Sequence, residues 1–248
     1  MTLKEEQSKI FDEWSPKISD KNGRLYRKDF RSDGVIDEEA WKLQEAKVMF
    51  ILKEPNSGSG SLAYSLGHVL ATRNVAPNKT ITTWSNVSRW QSGIAAIMED
   101  FKNGRDVSIP AWKDYKGQGK ASCVENNLRK AVVLNLKKSA GTARSKDSEI
   151  EQYFEHHRDL FKRQYDLYNP DVVVCCGNVV TRCLRKFKII DNYDSKFALH
   201  YESPLGKIWY YAPESGPIVI GFFHPQCSKN HQQMFSTLLS ALVQAIKG

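Results

Sequence analysis

Four short apolar runs set the rhythm of this chain of 248 residues. They lie at 48–52 (VMFIL), 131–136 (AVVLNL), 171–176 (DVVVCC) and 217–223 (PIVIGFF). Each is nearly continuous rather than alternating. Continuous β-branched and aliphatic runs predict strands of a parallel sheet buried on both faces. Each run ends abruptly. The first meets Lys53, Glu54 and Pro55, the second is interrupted by Asn135, the third meets Gly177, and the fourth meets His224 and Pro225.

Helical spacing fills the intervals. It is clearest over 150–168, where Ile150, Phe154, His157, Phe161, Tyr165 and Tyr168 recur on one face before Asn169-Pro170 stops the helix. Helices are also expected over 3–14, 37–45, 62–72, 93–101, 123–130, 178–187 and 229–247. Residues 73–93 read as a polar, Asn-rich loop carrying Trp84 and Trp90, and 188–216 as a mixed segment with a hairpin near Ser203-Pro204-Leu205-Gly206. Strands alternating with helices predict a three-layer α/β/α domain around a four-stranded parallel sheet. That domain is expected over 46–248, with residues 1–45 as an extension packed on it.

Composition adds direction. Hydrophobic residues make up 41% of the chain, enough for a sizeable core. A formal charge of +8 points to an anionic partner such as nucleic acid. No apolar run approaches the ~18–20 residues of a membrane span. The opening MTLKEEQSKIF lacks the apolar centre of a signal peptide, so no membrane association and a cytoplasmic location are expected. The five cysteines are odd in number and show no CxxC spacing. Neither a disulfide framework nor a zinc site is suggested, and Cys175 and Cys176 read as small buried side chains. The loop at 57–61 (SGSGS) has backbone N–H groups suited to a phosphate but lacks the GxxxxGK[ST] pattern of a nucleotide triphosphatase.

Ligands in open α/β sheets bind beyond the carboxyl ends of the strands. In a parallel sheet, Glu54, Asn135 and His224 share that edge. A carboxylate, an amide and an imidazole are therefore expected to face one cleft, bordered by the basic loop that carries Lys137, Lys138 and Arg144.

With these residues in place, the chain resembles the uracil-DNA glycosylase superfamily over about 46–248. Leu52-Lys53-Glu54-Pro55-Asn56 is similar to the family's first motif, VVLNL with Asn135 to its strand ending in Asn, and GFFHPQCS with His224, Pro225 and Ser228 to its His-Pro-Ser motif. RDLFKRQYDLYNPDVVVCCG matches the helix–proline–strand–glycine passage between them. The resemblance implies a monofunctional DNA glycosylase of base excision repair, acting on uracil or another damaged base that is flipped out of the stack. Its partner would be single- or double-stranded DNA, met in the nucleoid or nucleus, and the protein would act as a monomer without metal or cofactor. Glu54 would stabilise the oxocarbenium-like sugar or orient water, and His224 would donate to the departing base. Asn135 would read the pyrimidine edge. Lys53, Pro55, Asn56, Tyr64 and Ser228 would complete the substrate pocket, with Trp84 and Trp90 as further stacking candidates. Lys137, Lys138, Arg144 and Lys229 would contact DNA.

The chain departs from the family at several points. Leu52 stands where the first motif has glycine, and Glu54 is one methylene longer than Asp. Gln226 and Cys227 follow His-Pro where an apolar wedge is common, and the cysteines do not form the set of the iron–sulfur branch. The alternative is a non-catalytic relative that binds nucleic acid or a nucleobase.

Overall fold

The structure, a computed structural model, describes residues 1–15, 18–19, 25–26, 30–55, 64–65, 82–139, 141, 146–190 and 193–248. Its main sheet contains β1 (Gly34–Val35), β2 (Val48–Leu52), β3 (Ala131–Asn135), β4 (Val172–Cys176), β5 (Ala198–Ser203), β6 (Gly206–Tyr211) and β7 (Ile218–Phe222). The spatial order is β1-β3-β2-β4-β7-β6-β5. The four apolar runs are the central strands β3, β2, β4 and β7, all mutually parallel. Every residue of β2, β3 and β4 is buried, as continuous apolar runs require.

The expected four-stranded parallel sheet is therefore corrected to a seven-stranded mixed one. On one side β1 adds antiparallel to β3, with Gly34 opposite Val133. On the other, the β5–β6 hairpin adds antiparallel to β7. Two residues are too few to show a period, which hid β1. The hairpin was legible, but its place beside β7 depends on contacts distant in sequence.

Helices cover both faces. Packed on one are α3 (Thr82–Lys102), α5 (Ala121–Arg129) and α8 (His231–Lys247), which enclose Val48, Phe50 and Leu52. Packed on the other are α1 (Leu3–Trp14), α6 (Asp147–Asp166) and α7 (Asn178–Lys186), which enclose Met49 and Ile51. Two short α-helices, α2 (Glu38–Lys42) and α4 (Trp112–Tyr115), are also present among the described residues. Asp37 caps α2 by accepting from the Ala40 N–H at 3.0 Å. No helix among the described residues is long and apolar enough to cross a membrane.

Helix α3 starts 11 residues before the expected 93, because its inward face is partly polar. Ser85, Asn86, Ser88 and Gln91 are buried there and obscure the apolar period. Trp90 is core, packed edge-on against Phe222 at 5.3 Å between ring centres, so it does not offer a stacking surface. Trp84 lies half-buried in the same helix. The helix expected over 62–72 meets the described residues only at Tyr64–Ser65, a short strand paired with Arg31–Ser32; the rest lies outside them. Cys175 and Cys176 are fully buried, and burial pushes both thiols up; Cys183 is pushed up to about 12.

Candidate functional site

The carboxyl edge of the central strands is extended by three further backbone bonds. Leu136 N–H donates to Leu52 O, Lys137 N–H to Lys53 O and Gly141 N–H to Pro55 O, each at 3.0 Å. This carries the parallel pairing past β2 and β3 and sets Glu54 beside Lys137. The Lys137 ammonium donates to Glu54 Oε2 at 2.8 Å, and the Glu54 side chain keeps only 5% exposure. A Cβ at Gly141 would run into the Glu54 carboxyl group, so a larger residue there would have to displace this carboxylate. The Leu52 side chain is buried in the core.

One strand over, β4 is followed by Gly177, whose φ of 119° favours glycine. Its N–H donates to Phe222 O at 2.7 Å and ties the ends of β4 and β7 together. The Lys53 stem passes over this glycine: a Cβ there would lie 3.2 Å from Lys53 Cε. The Lys53 ammonium donates to Asp147, the first residue of α6, at 2.8 Å.

His224 follows β7. Its Nδ1 accepts from the Gln226 N–H at 3.2 Å, which leaves Nε2 to carry the proton of the neutral ring. The turn is anchored from α3: Asn86 Nδ2 donates to Pro225 O at 2.7 Å, and Asn86 Oδ1 accepts from Arg89 at 2.9 Å. Burial, with the nearby Lys53 charge, holds the His224 imidazole below its ordinary pKa. Burial likewise lowers His157 and His231.

These shifts have one sign. An imidazole that resists protonation when folded, but accepts a proton near pH 6.5 when unfolded, lets the unfolded chain bind more protons. The stabilisation is complete above about pH 6.5 and is lost as pH falls toward the folded values. Urea unfolding midpoints are expected to fall on acidification below that pH, and His224→Asn is expected to flatten the fall. Midpoints that rise on acidification over the same range would contradict this assignment.

The other expected site residues divide. Asn135 is buried, and both its backbone N–H (2.7 Å) and its Nδ2 (3.2 Å) donate to Asp33 Oδ2, so its amide donor is engaged within the protein. Lys138 is corrected outright. It has 0% exposure, and its ammonium bonds both Asp33 carboxylate oxygens at 2.7 and 2.8 Å, out of reach of DNA. Lys137 is likewise held by Glu54 rather than presented as a surface cation. Pro55 is half-buried beside Glu54, while Ser228 is exposed. The Lys229 ammonium sits over the Phe223 ring at 4.7 Å. Asn56, Arg144 and the side chain of Tyr64 lie outside the described residues.

Sequence reasoning missed Asp33, Gly141 and Asp147. Asp33 lies in an SDG stretch that reads as a surface turn, and nothing local marks it as buried. Asp147 carried a weak signal as an acid in the first turn of a helix. Among the described residues, no group of three or more His, Cys, Asp and Glu side chains is arranged to hold a metal ion. No protein-family model matches the chain, and no curated protein matches it in sequence.

Proposed function

We propose that the protein is a DNA glycosylase that hydrolyses the N-glycosidic bond of uracil or a related damaged base, taken out of the stack into the strand-end cleft. One observation carries this reading. Glu54 and His224 stand beyond β2 and β7, on either side of β4, which is followed by Gly177, a residue without a side chain. Two strand spacings put these ends about 10 Å apart, a separation suited to one nucleoside.

In this reading the C1′–N bond breaks with its electron pair going to the base, and water adds its oxygen to C1′. The products are an abasic sugar and the free base. The Glu54 carboxylate stabilises the cationic sugar, and the His224 Nε2–H donates to the oxygen of the departing base. A ring kept neutral by burial and by Lys53 suits that donor role. The backbone N–H of Gln226 fixes its tautomer.

A second reading, a non-catalytic relative that binds nucleic acid or a nucleobase, is favoured by the Lys137–Glu54 pair, which already neutralises the carboxylate. Release of uracil from end-labelled single- and double-stranded oligonucleotides, read by alkaline cleavage at abasic sites, separates the two. Excision predicts cleavage at the uracil, and His224→Ala is expected to slow it by about 10²–10³-fold, the usual effect of losing one stabilising donor. No cleavage with uracil, hypoxanthine or a mismatched thymine would overturn excision and leave the binding reading.

A further inference from the structure

A concavity of about 630 Å³ lies between α7 and the β6–β7 pair. Four cations line it: Arg182, Arg185 and Lys186 from α7 and Lys207 from β6. Its floor is tightly closed, since a Cβ at Gly221 would lie 2.7 Å from Thr181 Oγ1 and 3.3 Å from the Trp209 ring. Among the described residues, three carboxylates face these cations, one of them Glu155 on α6, whose charge acts on Lys186. Glu151 on α6 accepts from Lys186 at 2.8 Å and from Arg182 at 3.2 Å, and Glu202 on β5 pairs with Lys207 at 2.9 Å. Arg185 has no carboxylate partner among the described residues; its guanidinium lies over the Trp209 ring at 5.1 Å. Tyr193 also lines the cavity, and its buried hydroxyl has no hydrogen-bond partner among the described residues.

We infer that this cavity binds a phosphate group, supplied either by a polynucleotide backbone or by a free nucleotide. Of the described residues that line the concave surface, four are cations and none is a carboxylate. Glu151 holds two of the cations in place, so little side-chain order is lost on binding. Arg185 presents a planar fork already oriented by Trp209, the geometry that suits phosphate oxygens. Tyr193 supplies a neutral donor that a phosphate oxygen would satisfy. The cavity opens beside Asn178 in the first turn of α7, where the helix dipole adds favourable potential.

The inference does not depend on base excision, and its test needs none. An undamaged single-stranded oligonucleotide, followed by fluorescence anisotropy at several salt concentrations, supplies the backbone source. Thymidine monophosphate, followed by calorimetry, supplies the free one. Arg185→Gln with Lys207→Gln, both at exposed positions, is compared with Arg185→Lys and Tyr193→Phe, and each variant is checked for an unchanged unfolding midpoint. For a backbone phosphate, the double variant is expected to bind the oligonucleotide at least ~10-fold more weakly. Its salt slope should fall by about 0.7 per lost contact. Arg185→Lys should retain more of the affinity, and Tyr193→Phe should lose a few-fold. Loss of monophosphate binding with oligonucleotide binding unchanged would assign the free nucleotide. If the wild type binds neither ligand, or if the folded double variant binds both as tightly as the wild type, the inference is overturned.

Discussion

Asp33→Ala is expected to lower the free energy of unfolding by about 3–5 kcal/mol, the range for removing one partner of a buried ion pair. The Asp33 carboxylate accepts from the Lys138 ammonium, from Gln164 Nε2 at 3.0 Å and from the backbone and side chain of Asn135. Lys138 has no solvent access and sits over the rings of Trp14 and Phe161 at 5.1 and 5.6 Å. Burial pushes its ammonium below the ordinary value, while Asp33 opposes that shift. Without Asp33 the charge is stranded in an apolar setting. Total stabilities are only about 5–15 kcal/mol, so the variant should be marginal. Lys138→Met is expected to cost less, because the Asp33 carboxylate keeps its bonds from Gln164 and Asn135. The double variant Asp33→Asn/Lys138→Met should recover much of the loss, since apolar replacement of a buried pair is often near neutral. Urea unfolding of the three variants tests this. Equal costs for Asp33→Ala and Lys138→Met, with no recovery in the double variant, would mean that the pair is not the source of the stabilisation.

Glu54→Gln is expected to reduce base release by about 10²–10⁴-fold if the proposed chemistry holds. The substitution keeps size and removes charge, so the developing positive charge on the sugar loses its counterpart. It also leaves Lys137 facing a neutral amide, which should lower stability by about 1.5–3 kcal/mol, the scale of a hydrogen bond to a charged group. The two effects can be separated. Glu54→Gln/Lys137→Met removes both charges and should restore the unfolding midpoint while leaving base release low. If excision returned together with stability, Glu54 would be a positioning residue for the loop that carries Lys137 and Gly141, and the catalytic assignment would fall.

The strands at the centre of the sheet were legible because a strand buried on both faces must be apolar at successive positions. VMFIL and VVVCC satisfy that without reference to the rest of the chain. Parallel pairing then placed Glu54 and His224 on one edge, because every such strand points its carboxyl end the same way. The start of α3 was not legible, since its inward Asn86 and Ser88 are satisfied by the Pro225 and Gln118 carbonyls, groups distant in sequence. The edge strand Gly34–Val35 was hidden for a related reason: its pairing with Val132 and Val133 leaves no local period.

Charge is where the sequence by itself fell short. Lys137, Lys138 and Arg185 are alike in charge, yet one pairs with Glu54, one is sealed against Asp33 and one lies exposed over an aromatic ring. Apolar side chains go inside whatever surrounds them, because their transfer from water is favourable in any packed setting. A charged side chain is buried only where a partner compensates the loss of water. Thus the sequence determined the central strands and the edge on which their polar ends gather. Tertiary structure alone decided which charges are sealed in the core and which remain free to meet a ligand.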